Sequence, residues 1–112
     1  MVKQGEIFFV NFDPSKGHEQ KAYRPALALS NNLITETSGM TIVAPITTSK
    51  RNYPMYHELK TTNVVKGKVM LDQIVALDLQ ARHVSQADIK EKLSLIELEI
   101  ILNKVKLLFQ LN

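Results

Sequence analysis

The pattern of hydrophobic and polar positions changes period once along this chain. Up to about residue 80 the apolar residues come in short runs bounded by turn-formers, and beyond it they recur at the three- and four-residue spacing of helices. Residues 4–12 (QGEIFFVNF) are dense in aromatic and β-branched side chains, and the cluster Asp13-Pro14-Ser15-Lys16-Gly17 ends the strand they predict. A polar loop follows over 16–23. Residues 24–30 (RPALALS) read as a second strand, with Pro25 suited to its first position or to a sheet edge because proline cannot donate to a ladder. Residues 40–46 (MTIVAPI), between Gly39 and Thr47-Thr48-Ser49, have the pattern of a short buried strand, and 56–61 and 68–77 carry two more. Five strands in about 80 residues is the spacing of a small barrel or sandwich.

The last quarter predicts helices. Residues 85–92 read as a short amphipathic helix, and Ser94-Leu95-Ile96-Glu97 is a capping-box pattern opening a longer one that runs to about Leu111. At helical spacing Glu99, Asn103, Lys106 and Gln110 share a polar stripe, and Glu97 and Lys104 meet on nearly the opposite side. Two apolar arcs remain. Leu98, Ile101, Leu102, Val105, Leu108 and Phe109 form a broad arc fit to cover a sheet, whereas Ile96, Ile100, Leu107 and Leu111 form a narrow one pointing elsewhere. The narrow arc packs on the N-terminal strand or the 85–92 helix, or else forms a subunit interface. With no repeat, low-complexity tract or linker, one domain over residues 1–112 is expected.

Composition narrows the chemistry. A chain of 112 residues that is 45% hydrophobic supports one modest core. Neither an apolar run long enough for a membrane span nor a signal peptide is visible, which leads to the expectation of a cytoplasmic protein. The lack of cysteine removes disulfides, zinc fingers, iron–sulfur clusters and thiol nucleophiles together. A formal charge of +3 is a mild bias toward a polyanionic partner, and the excess lies in residues 1–82.

The densest polar segment places Lys16, His18, Glu19, Gln20, Lys21, Tyr23 and Arg24 beside Gly17. It is either an ordinary solvated loop or a phosphate-binding and acid/base loop, in which Arg24 grips a phosphate and His18 or Glu19 moves a proton. Thr47-Thr48-Ser49-Lys50-Arg51 is likewise either a polar turn or a second arm of hydroxyls and cations at a strand end. Asp72 lies in the apolar run 69–77, where a carboxylate must pair, hydrogen-bond or face a cleft. His18, His57 and His83 are too scattered for a metal site, and no glycine-rich phosphate loop or nucleophile elbow is present.

Taken in order, the motifs resemble one family. Gly5-Glu6, Asn11-Phe12-Asp13-Pro14, Gly17-His18-Glu19-Gln20, Arg24-Pro25-Ala26, Gly39-Met40 and Val43-Ala44-Pro45-Ile46-Thr47-Thr48 are similar to the MazF/PemK toxins of bacterial toxin–antitoxin modules. Gly67, Asp72-Gln73, Asp78 and Ala81-Arg82 extend the match. The resemblance implies an α+β, mainly β fold: a small SH3-like or CcdB-like barrel of about five to seven strands with a C-terminal helix. It also implies a homodimer, cleavage of single-stranded RNA without metal or cofactor, and inhibition by a MazE/PemI-like antitoxin. The family's functional arginine falls on Arg24 and its threonine on Thr47. The histidine and aspartate of some plasmid-borne members fall on His18 and Asp72, but the arginine used two positions before that aspartate is Met70 here. Val75 and Ala76 replace an arginine and a threonine of the commoner family text. These departures favour a mechanism built on Arg24 and Thr47.

Metal-free RNA scission is most easily done by the ribose 2′-hydroxyl attacking its own phosphate, which needs a base, a cation for the phosphorane and an acid for the leaving 5′-oxygen. Arg24 suits the cation and Thr47 a hydrogen bond to a nonbridging oxygen, with the proton moved by His18, Glu19 or a shared network. Lys16, Lys21, Lys50 and Arg51 would follow the RNA backbone, with Gln20, Thr48, Ser49, Asp72 and Gln73 among the substrate contacts, and Tyr23 or Tyr53 would stack on a base. Two alternatives remain: a small barrel that binds RNA without cutting it, and a CcdB-like toxin directed at gyrase.

Overall fold

Alternating apolar residues build an antiparallel sheet of seven strands whose two faces are both covered. The structure is a computed structural model and describes residues 1–13 and 23–112. Its strands are β1 (Glu6–Asn11), β2 (Tyr23–Ala28), β3 (Thr41–Thr47), β4 (Tyr56–Glu58), β5 (Lys68–Met70), β6 (Val75–Leu77) and β7 (Ile89–Lys92), and its helices α1 (Asn32–Ser38) and α2 (Leu95–Leu107). The strand order is β4-β5-β3-β2-β1-β7, and β6 pairs with β3 beside β5. A mainly β fold with a C-terminal helix is what the sequence predicts, and seven strands lie within the expected number. The pairing path is open, with β4 and β7 at its ends.

The two-residue period explains why β1–β3 read as near-continuous apolar runs. Ile7, Leu27, Ala44 and Ile46 face one core cluster with Val69, Leu71, Leu98 and Ile101, and the intervening Phe8, Val10, Ala26, Ala28 and Val43 face a second with Leu77 and Leu79. Pro25 fits because β2's pairing with β3 begins one residue later, at Ala26↔Pro45. The broad arc of α2 covers the first cluster through Leu98 and Ile101, with Leu102 and Val105 at its margin, whereas Phe109 stays exposed. The helix ends at Leu107, short of the expected Leu111, and among the described residues the narrow arc stays largely open, with Ile96, Ile100, Leu107 and Leu111 46–95% exposed.

Three segments depart from expectation. Residues 68–77 are not one strand. Ile46 and Thr47 pair with Val69 and Lys68, but Val43 and Thr41 pair with Val75 and Leu77, a register shift of three residues. The 3-10 turn Leu71–Gln73 absorbs those three, so Asp72 leaves the sheet and stands exposed, free of the burial that its apolar neighbours suggested. Residues 85–92 do not form a helix. Ser85 and Asp88 make a capping box around one 3-10 turn, and β7 then pairs with the outer edge of β1. That edge needs backbone partners, and Glu91 on β7 accepts the backbone N–H groups of Asn63, Val64 and Val65 at 2.6–2.9 Å. Finally, α1 was not foreseen, because it buries no residue and therefore lacks an apolar period; Asn31 caps its start and left-handed Gly39 ends it.

A buried polar chain docks α2 onto the sheet. The Ser94 hydroxyl accepts the Glu97 N–H, but the Glu97 side chain, 3% exposed, does not complete a capping box. It turns inward to accept from the Thr61 hydroxyl, from the Lys60 and Thr61 backbone N–H groups and from His57 Nε2 at 2.8 Å. Lys104 lies 2.8 Å from His57 Nδ1. With the ammonium donating to Nδ1, the ring proton sits on Nε2 and points at Glu97. Burial pushes the Glu97 carboxyl up, but the hydrogen bonds from Thr61, His57 and the Lys60 backbone outweigh it and hold the pKa down at about 2.

Candidate active site

Arg24 and Thr47 come from strand ends that meet. β2 and β3 pair through Ala26↔Pro45, and the same register continued by two residues sets Arg24 across from Thr47. Alternation sends both side chains out on the face that carries Ala26 and Val43 deeper in the sheet. Arg24 is exposed and Thr47 half-buried, so a phosphate can reach both from solvent while the strands fix their backbones. Arg24 is separated from residues 14–22 only by Tyr23. Lys16, His18, Glu19, Gln20 and Lys21, the expected proton-transfer and RNA-contact groups among them, lie there, outside the described residues.

The second arm is a ladder of short-range bonds. The Ser49 N–H donates to Thr47 Oγ1 at 3.1 Å and the Arg51 N–H to Ser49 Oγ at 3.2 Å. Because Thr47 Oγ1 accepts from Ser49, its own hydrogen can be donated outward. Lys68 Nζ donates to the Arg51 carbonyl at 2.8 Å, and Lys68 itself pairs with Thr47 across β3 and β5. Thr48, Ser49, Lys50 and Arg51 are exposed on this arm. Gly67 makes the approach possible: at φ +132 a Cβ there would lie 2.5 Å from the Thr47 carbonyl oxygen. Gln73 joins the arm, with its amide 3.5 Å from the Tyr56 hydroxyl. Its neighbour Asp72 is exposed on the same 3-10 turn.

A family profile described as PemK-like, MazF-like toxin of type II toxin–antitoxin system matches residues 3–109. The chain belongs to that family. It is 31% identical over 104 residues to the endoribonuclease toxin MazF of Escherichia coli K12, covering 93% of this chain and 90% of the relative. It is 41% identical over 86 residues to the endoribonuclease toxin ChpB of the same strain, covering 71% and 72%. Among solved structures, MazF from Deinococcus radiodurans superposes with a TM-score of 0.77 at 29% identity, covering 96% of each chain. A MazE–MazF structure from that organism has the same fold, with a TM-score of 0.78 at 22% identity over 99% of this chain and 97% of the other.

Several motif residues of this toxin-family chain serve geometry. Asp78 accepts the Ala81 N–H at 3.0 Å, and this turn presents Arg82, whose guanidinium donates to the Asn11 carbonyl at 2.8 Å. Arg82 thereby pins the end of β1 where the chain leaves for residues 14–22. Tyr23 is hydrogen-bonded through its hydroxyl to Asp88 at 2.6 Å and packs against Phe9, with ring centroids 5.4 Å apart. The Asp88 hydrogen bond, burial and the Asp88 charge push the Tyr23 pKa up to about 12, so Tyr23 is a donor and not a base. Among the described residues no cluster of three His, Asp or Glu side chains could hold a metal ion. Among those residues, too, no helix is long and apolar enough to cross a membrane.

Lys68 and Tyr56 escaped the sequence reading. Lys68 braces the site through a pairing 21 residues distant in sequence from Thr47, and the signal available was its place directly after Gly67.

Proposed function

We propose that this chain is the endoribonuclease toxin of a type II toxin–antitoxin module, acting in the cytoplasm as a homodimer on single-stranded RNA. The reading is supported by relatives named endoribonuclease toxins at 31% and 41% identity and by the β2–β3 register, which pairs Ala26 with Pro45 and, extended two residues, brings Arg24 toward Thr47. The ribose 2′-oxygen attacks the adjacent phosphorus as a base takes its proton, the bond to the 5′-oxygen breaks, and a proton is delivered to that oxygen. A 2′,3′-cyclic phosphate and a 5′-hydroxyl result. Arg24 offers two parallel donors to the phosphorane oxygens, and Thr47 adds a third. His18 and Glu19 are the proton carriers, and none of these steps draws on a metal or cofactor.

Lys50 and Arg51 follow the RNA backbone away from the scissile phosphate. An antitoxin of the MazE kind, the partner in the Deinococcus complex, switches the activity off by laying an acidic segment over the same basic arms. End-mapping tests the reading: brief induction followed by sequencing of RNA 5′ ends should show new 5′-hydroxyl termini at a short recurring motif. Intact RNA with altered DNA supercoiling would instead support a gyrase-directed toxin.

A further inference from the structure

The loop between β3 and β4 ends in Tyr53-Pro54-Met55-Tyr56, a turn closed by the Tyr56 N–H donating to the Tyr53 carbonyl at 2.9 Å. Pro54 presets the backbone of its second position. The turn holds the two tyrosine rings edge to face, with centroids 5.0 Å apart and planes at 80°. It is tied to the core by the N–H of buried Leu71, which donates to the Met55 carbonyl at 3.0 Å. Tyr56 is half-buried against this support, but Tyr53 is 46% exposed. A ring held in place without being covered has little freedom left to lose on binding a flat partner. Cations flank it: the Arg51 guanidinium lies 3.5 Å from the Tyr53 hydroxyl, and Lys68 grips the Arg51 carbonyl.

We propose that Tyr53 is the platform on which one unpaired base near the scissile phosphate stacks, with Tyr56 as the positioning residue that fixes its ring. The inference rests on the endoribonuclease reading and adds to it a named contact. The steps Thr47–Ser49–Arg51 carry the chain from the phosphate site to the ring through successive hydrogen bonds, so the RNA backbone and a splayed base are addressed by one braced arm. Tyr23 is equally exposed, but its hydroxyl is committed to Asp88, whereas Tyr53 stands beside the Arg51 guanidinium at the end of the hydrogen-bonded arm. Every base has a π-face, so the ring favours an unstacked nucleotide over a paired one without naming the base.

The test is steady-state cleavage of a single-stranded RNA oligonucleotide bearing one mapped site, using full-length protein and a substrate series with an abasic residue at each flanking position. Tyr53→Ala should raise KM by about 5- to 150-fold, the range for losing one base–aromatic stack, while changing kcat less than about threefold. Tyr53→Phe should restore KM to within about threefold. For wild-type protein one abasic position should carry a comparable penalty, and that position should cost Tyr53→Ala almost nothing further. An unchanged KM in Tyr53→Ala, or penalties that multiply in full at every position, overturns the platform. The wild-type series decides the matter even where the alanine variant folds poorly, because no abasic penalty at any position also overturns it. Wild-type protein that leaves the RNA intact overturns the endoribonuclease reading, and the platform with it.

Discussion

In the proposed reaction Arg24 and Thr47 would do different work on the same phosphate. The guanidinium meets charge that grows toward the transition state, so Arg24→Ala should slow cleavage at least about a hundredfold with a smaller loss of RNA affinity. Arg24→Lys should stay badly impaired, because the charge survives but the planar fork does not. Thr47→Ala should be similar or milder. Single-turnover rates and binding isotherms separate these outcomes, and a folded Arg24→Ala variant with wild-type rate would contradict the assignment. Gly67→Ala tests the frame instead: its Cβ would strike the Thr47 carbonyl oxygen, so it should cost about 1–3 kcal/mol of stability and lower the rate with Arg24 and Thr47 both present. Denaturant titration alongside the rate assay checks both effects. Arg24 and Thr47 each sit in a local motif, so the sequence alone can single them out as candidates. Lys68 was not legible in this way, since its bracing of Arg51 exists only once β3 and β5 have paired. Asp72 read as buried because its neighbours are apolar, and nothing local announces the register shift that turns it out.

The element whose docking is most specific is α2, where Glu97, His57 and Lys104 form one chain of contacts. Helical spacing put Glu97 and Lys104 on a common side, but the histidine between them comes from β4, forty residues before Glu97. Glu97 titrates at about 2 in the fold against 4.5 as the reference. A carboxyl depressed on folding stabilises above its unfolded value and loses that contribution as pH falls through the folded one. The share here is on the order of 3 kcal/mol, complete above about pH 5 and lost between roughly 4.5 and 2. Glu97→Gln should therefore destabilise the protein at pH 7 by an amount that shrinks as pH is lowered through that window. Urea titrations of both proteins at several pH values check this, and a difference independent of pH would contradict it. The β7 segment shows the opposite limit of sequence reading: Ile89–Lys92 is short enough to satisfy a helical and a strand pattern alike, and the unpaired edge of β1 decides between them.

For the whole molecule, the narrow apolar arc along α2 and the residues just after it is left exposed among the described residues. A homodimer buried partly through Ile96, Ile100, Leu107 and Leu111 should appear in light scattering as about twice 12.7 kDa at micromolar concentration. Ile100→Glu should shift it toward monomer, since a charge would be buried without a partner. A 12.7 kDa particle in the wild type would contradict the dimer.

In the proposed reaction the 2′-hydroxyl of the substrate is the nucleophile, and the protein supplies the charge and the proton carriers. That reaction is tested most directly by one substrate pair in EDTA: an RNA containing the mapped site, and the same strand with a single 2′-deoxy sugar at the scissile position. Both should bind, only the first should be cut, and its fragments should end in a 5′-hydroxyl and a cyclic or 3′-phosphate. Cleavage of the deoxy strand, or cleavage of the RNA that begins only when magnesium is restored, would contradict it.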